Sequence, residues 1–185
     1  GEVGLAAFFA KHVNFEIGLA LMSNRWAGAD YWQACAVPFF DLDELIERSD
    51  VIDIGIDGGG LDDLLGLAVL GRDKTTGKWL LWVRAWAHPS VLERRKSEAA
   101  RFQDFAKDGD LILVSMIGDD VEEVAEIVSK VDKSGKLDKI GVDPIGLGGI
   151  LDAIEAAGVS QEGTAPDGTK YTKIIGITQG YKMNS

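Results

Sequence analysis

The sequence predicts an α/β fold on a mixed sheet, in which an antiparallel three-strand meander is followed by parallel strands with crossover helices. Three observations predict it. From Val51, three apolar segments rich in Val, Ile, Leu and Trp succeed one another with only short turns between them. Beyond them, apolar strand-like runs alternate with stretches of helical period, the pattern of crossovers between parallel strands. The 185 residues, 46% of them hydrophobic, allow one domain with a substantial core and a short appendage.

Taken in order, residues 1–50 read as an arm. FFAKHVNFEIGLALMSNRW mixes apolar and polar positions, and WAGADYWQACAVPFF gathers Trp26, Tyr31, Trp32, Phe39 and Phe40. Such a stretch is expected to form one or two helices lying on another surface. DLDELIERSD is a short helix, capped by Asp41 and carrying Leu42, Leu45 and Ile46 on one face. VIDIGID alternates and stops at glycines as the first strand, LLGLAVLGRD is the second, DKTTGK a turn and KWLLWVRAWAH the third. VLERRKSEAARFQDFAKDGD is a charged helical excursion, and LILVSMI a further strand. DDVEEVAEIVSKVDK sets Val121, Val124, Val128 and Val131 on one stripe, with acids leading and lysines trailing as the helix dipole prefers. KLDKIGVDP is a strand ending at Asp143, LGGILDAIEAAG a helix and TKYTKIIGITQG the last strand. There is no internal repeat and no low-complexity tract.

The formal net charge of −11 disfavours a general nucleic-acid binder, because phosphate contacts come from Lys and Arg. It leaves room for an acidic metal centre with a local basic patch. The lone Cys35 excludes an intramolecular disulfide and a Cys-based zinc cluster, and fits a reducing compartment. No charge-free apolar run reaches the roughly 18 residues that span a bilayer, and GLAAFFA is too short and lacks the basic leader of a secretory signal. A start at Gly1 with the first methionine at Met22 leads us to expect a piece of something longer.

The element order matches a ribonuclease H-like arrangement, in which the first and fourth strands of the pattern lie side by side. It predicts that Asp57 and Asp143, both at strand C-terminal ends, meet where α/β sheets place their ligands. Two carboxylates there would repel unless a divalent ion lay between them. Mg²⁺ suits such a pair, completing its shell with water and phosphate. Gly58, Gly59 and Gly60 would then admit a phosphodiester. The alternative is that Asp57 caps a hairpin and Asp143 is merely the residue before Pro144. Asp62 reads as turn chemistry, and Asp63 equally as turn or ligand. Asp119 and Asp120 read as a helix N-terminus, Glu93–Lys96 (ERRK) as a solvated basic face and His88 as a strand-end histidine. His12 and Cys35 make no nucleophile–base arrangement. A Walker A pattern is absent, so this piece is no P-loop ATPase.

DIGIDGGGLDDLLGLAVLGRD, KWLLWVRAWAH, IGVDPIGLGGILDAI and IIGITQGYKM together resemble the C-terminal nuclease domain of the large terminase subunit of tailed bacteriophages. FFAKHVNFEIG…RWAGADYWQACA resembles the segment joining that nuclease to the packaging ATPase. The resemblance implies a linker over residues 1–50 and a nuclease domain over 51–185. It implies an endonuclease that cuts concatemeric double-stranded DNA by two-metal hydrolysis, with Asp57 and Asp143 as metal ligands, Asp63 as a further acid at the metal, and two Mg²⁺ or Mn²⁺ ions. The implied partners are DNA, the portal protein and the small terminase subunit. The implied location is the host bacterial cytoplasm during virion assembly, with no membrane association. The family's third acid lies on a later helix, past Ser185, so the piece is expected to be truncated and weak or inactive in cleavage. Two rival readings stand beside it. IGIDGGG also resembles the first phosphate loop of actin-like sugar kinases, and a domain of this fold could dock on DNA or portal without cutting.

Overall fold

A computed structural model of the protein describes residues 31, 33–35, 41–61, 63–143 and 148–177. The chain divides into two compact units, Gly1–Phe39 and Phe40–Ser185. In the first, Gln33–Cys35 forms a 3-10 turn with Cys35 exposed. His12, Trp26, Trp32, Phe39 and Phe40 lie outside the described residues, as do Asp62, Pro144 and the Gln179–Tyr181 motif.

The second unit begins with α1 (Leu42–Arg48), capped by Asp41, whose Oδ1 accepts the Glu44 N–H at 2.8 Å. Leu42 and Leu45 are buried against the sheet. The helix counted with the arm on sequence is therefore part of this unit's core. The meander follows as β1 (Ser49–Gly58), β2 (Leu65–Asp73) and β3 (Trp79–Ala87), all antiparallel. The β2–β3 turn closes on Asp73, whose Oδ1 accepts the Thr75 and Thr76 N–H groups at 2.9 and 2.8 Å.

The excursion after β3 forms two helices, α2 (Ser90–Arg94) and α3 (Ala99–Asp108), and ends in a short strand, β4 (Ile112–Leu113). Next come α4 (Asp119–Lys133), β5 (Leu137–Val142), α5 (Gly148–Ala156), the hairpin strands β6 (Glu162–Thr164) and β7 (Lys170–Thr172), and β8 (Ile174–Gly176). The six-stranded sheet runs β4-β3-β2-β1-β5-β8, with β5 parallel to both β1 and β8. An antiparallel meander whose first strand pairs in parallel with a strand delivered by a helical crossover is the ribonuclease H-like architecture expected from the sequence.

One sheet face carries the main core. Ile52, Ile54 and Ile56 of β1 and Leu65, Leu67 and Val69 of β2 pack with Val124, Val128 and Val131 of α4 and Ile150 and Ile154 of α5. Each such side chain contributes about 1.5–3 kcal/mol of burial free energy. Trp86 sits in the same core with no exposed surface, and its Nε1–H donates to Glu123 Oε2 of α4 at 2.7 Å. A second, smaller cluster of Ala87, Val91, Phe102 and Leu111 seats the α2–α3 excursion, with Leu64 and Ala85 packed against it.

Two strands differ from expectation. LILVSMI pairs with β3 through Ile112 and Leu113, with the Val114 N–H donating to the Ala87 carbonyl at 3.0 Å. Its remainder turns away, because Asp119 Oδ2 accepts the Met116 N–H at 2.8 Å and draws the chain into the start of α4. TKYTKIIGITQG is not one strand. Lys170–Thr172 folds back on Glu162–Thr164 around Pro166-Asp167-Gly168, and only Ile174–Gly176 joins the main sheet. Asp167 Oδ1 accepts the Thr169 N–H at 2.9 Å, and Gly168 takes φ 84°, as a tight turn requires. Among the described residues no helix is long and apolar enough to cross a membrane.

Candidate functional site

The residues opposite the core face define the site. Along β1, Ile52, Ile54 and Ile56 point into the core, so Gly55 and Asp57 point to the other face. The register places Gly55 beside Ala68 of β2 and Gly141 of β5, and Asp57 beside Gly66. Gly66 in turn faces Ala85 of β3. Gly55, Gly66, Ala68, Ala85 and Gly141 thus make a floor of small residues in a cleft of about 560 Å³. A Cβ built on Gly55 would meet nothing within 4 Å among the described residues. Packing there does not require a bare position.

Asp57 and Asp143 both line this cleft. The parallel ladder pairs Ile56 with Val142 and continues through the Asp143 N–H, which donates to the Ile56 carbonyl at 3.4 Å. The next step in register sets Asp57 and Asp143 on neighbouring strands, whose backbones run about 4.8 Å apart in any sheet. The convergence expected from element order is present. Among the described residues no group of three or more His, Cys, Asp or Glu side chains could hold a metal. A pair of carboxylates fits Mg²⁺ or Mn²⁺, which accept one or two such ligands and fill the rest of an octahedron with water and phosphate oxygens. It does not fit a closed, all-protein cage.

The glycines after Asp57 answer to two demands. Gly58, Gly59 and Gly60 have φ of 81, 115 and 113°, a region open to glycine. A Cβ on Gly58 would collide with the Leu64 carbonyl oxygen, so Gly58 is required by the tight return of the chain. A Cβ on Gly60 would meet only open space. At Gly60 the backbone conformation, rather than packing, is what calls for glycine.

Asp63 stands on that returning segment. Its Oδ1 accepts the Leu64 N–H and a hydrogen from Arg95 Nη2, both at 2.9 Å. A second tether runs from Ser90 Oγ, which donates to the Leu61 carbonyl at 2.6 Å, and His88 Nδ1 lies 2.8 Å from the same hydroxyl. His88 is therefore engaged in holding the end of β3, and Arg95 of the basic run is engaged with the loop. Asp119 is the first residue of α4, as expected, with Asp120 beside it. Asp53, on the Asp57 side of β1, accepts the Lys139 N–H at 3.1 Å, and partial burial pushes its carboxyl up from the usual range.

Sequence reasoning missed the small-residue floor and two charged residues of the cleft, Arg84 and Asp110. Arg84 lies with its guanidinium carbon 4.9 Å from the centroid of the Trp82 ring. The signal for the floor was available: at outward positions of the strands, where polar residues are the rule, the sequence has Gly55, Gly66, Ala68 and Gly141.

The chain is similar to the crystal structure of the HK97 bacteriophage large terminase, with a TM-score of 0.51 and 19% sequence identity over 79% of this chain. It spans 30% of the length of that protein. No family model matches the chain, and no curated protein matches it.

Proposed function

We propose that this chain is the metal-dependent endonuclease domain of a phage DNA-packaging terminase, cutting concatemeric double-stranded DNA. The observation that carries the reading is the pair Asp57 and Asp143, on adjacent parallel strands and facing one cleft floored by glycine and alanine. In this reading their carboxylates hold two Mg²⁺ or Mn²⁺ ions, which when bound supply charge neutralisation and an activated water. The chain's own part is to fix the two carboxylates through the β1–β5 ladder and to leave the floor low enough for a phosphodiester. Asp63, already committed to Leu64 and Arg95, acts from one step further out, by holding the loop beside Asp57. DNA, a portal protein and a small terminase subunit are the partners the reading implies, and host cytoplasm its place.

The test is supercoiled-plasmid nicking in Mn²⁺ by the complete subunit that carries this domain, as wild type, Asp57→Asn and Asp143→Asn, with the melting temperature of each recorded with and without the ion. We expect metal-dependent nicking and metal-dependent stabilisation in the wild type, and loss of both in each variant with the fold retained. Nicking that survives in the variants, or a wild-type subunit indifferent to the ion, overturns the reading.

A further inference from the structure

We propose that Arg95 binds a backbone phosphate at the lip of the Asp57–Asp143 cleft; this rests on the nuclease reading and extends it to how an acidic chain grips its polyanion. Position comes first. The loop after β1 folds back so that the Gly59 N–H donates to the Leu64 carbonyl at 3.0 Å, bringing Asp63 and Leu64 alongside residues that directly follow Asp57. Arg95 reaches Asp63 across this loop, its Nη2 2.9 Å from Oδ1. The turn that carries Arg95 is held there independently of that ion pair. Ser90 Oγ bonds the Leu61 carbonyl, Val91 is fully buried in the smaller core, Leu64 packs on that core, and the Arg95 N–H closes on the Val91 carbonyl at 2.8 Å. These contacts hold the Arg95 turn against the returning segment of the loop that follows Asp57.

Charge is the second observation. A chain of net charge −11 repels a polyanion everywhere except where cations are concentrated. Arg94, Arg95 and Lys96 are consecutive, and Arg101 follows on α3. Arg95 is bonded to the loop through Asp63. Its ion pairs are surface ones: Asp63 at 2.9 Å and Glu98 at 3.8 Å are both exposed partners. Such pairs contribute little net free energy, so a phosphate can take Asp63's place on the guanidinium at small cost. The planar fork matches two phosphate oxygens at once. Gly60, whose Cβ would meet nothing, leaves the approach open.

The experiment is fluorescence anisotropy of the full chain with a short double-stranded DNA of mixed sequence, in Ca²⁺ to prevent cutting, across a salt series. Wild type, Arg95→Ala, Arg95→Lys and Asp57→Asn are compared, and the plasmid assay is run in parallel. Arg95→Ala is expected to bind roughly tenfold more weakly, with the slope of log affinity against log salt reduced by about 0.9, the share of one phosphate contact. Arg95→Lys should keep the slope and lose part of the affinity, because charge survives and the fork does not. A purely structural role for Arg95 would lower the melting temperature without changing the slope. Wild-type slope in Arg95→Ala, or no salt-dependent binding by the wild-type chain, overturns the proposal. Asp57→Asn separates the two readings: if it still cuts, the nuclease reading fails whatever Arg95 does. If it binds DNA without cutting while Arg95→Ala binds as wild type, only the Arg95 proposal fails.

Discussion

Replacing Gly55 with valine separates a floor kept bare for a ligand from one kept bare for packing. Gly55 lies within β1, its φ is not positive, and an added Cβ meets nothing within 4 Å among the described residues. Glycine inside a strand costs roughly 0.5–1 kcal/mol of chain entropy, and valine is among the best strand formers. Gly55→Val should therefore stabilise the protein by about 0.5–1 kcal/mol. For a chain of this size that corresponds to about 1–4 °C in melting temperature. The same side chain would stand between Ala68 and Gly141, two residues from Asp57, and lift the cleft floor by the height of an isopropyl group. If a phosphodiester must settle there to meet the carboxylates, nicking in Mn²⁺ should fall about ten- to hundredfold, the range expected for misplacing reacting groups by an ångström or so. Urea melts and plasmid nicking on one preparation give both numbers. A less stable variant refutes the open-floor geometry. A more stable variant with unchanged nicking refutes the use of that floor by substrate.

Gly71→Ala should do the reverse: its Cβ would collide with Ser49 Oγ and lie 3.0 Å from Leu45 Cδ2, costing about 1–3 kcal/mol in a urea melt. Trp86→Phe should cost about 1–3 kcal/mol, chiefly because Glu123 loses its indole donor. Trp86→Ala should cost about 3–5 kcal/mol, seen as a lower urea midpoint. Asp73 is held well below the usual carboxylate range by the Thr76 and Thr75 N–H groups and by Arg48. Its contribution is thus complete above the ordinary value of 3.8 and is lost as pH falls from there toward the depressed folded value. Asp73→Asn should accordingly flatten the acid side of the melting-temperature profile. Asp63→Asn should retain most of the metal-induced rise in melting temperature, whereas a loss as complete as in Asp57→Asn would make Asp63 a direct ligand.

The parts of this molecule legible in its sequence were those set by period and order. Ile52, Ile54 and Ile56 alternate with polar or small residues, and Val124, Val128 and Val131 recur at helical spacing, so both elements and their buried faces could be read directly. The meeting of Asp57 and Asp143 followed from order alone, since a crossover strand returning beside β1 must end level with it. What escaped depended on partners distant in sequence. LILVSMI has a strand's composition, yet it finds a partner edge only at Trp86 and Ala87, through Ile112, Leu113 and the Val114 N–H. The hairpin that claims Lys170–Thr172 was written in Pro166-Asp167-Gly168, a turn signal overshadowed by the apolar run after it, whereas the break at Lys173 has no local signature. The engagement of Asp63 by Arg95, 32 residues apart, has no local signature.

The place of β1 in the sheet has a mechanical consequence. It is bonded along both edges, to β2 and to β5, while the loop at Gly59 and Gly60 is held by one backbone bond to Leu64 and by the side-chain tethers of Ser90 and Arg95. Amide protons from Ile52 to Ile56 should therefore exchange with solvent only when the whole domain comes apart, and those of the loop through small local excursions. The carboxylate of Asp57 is planted at the seam between these two regimes.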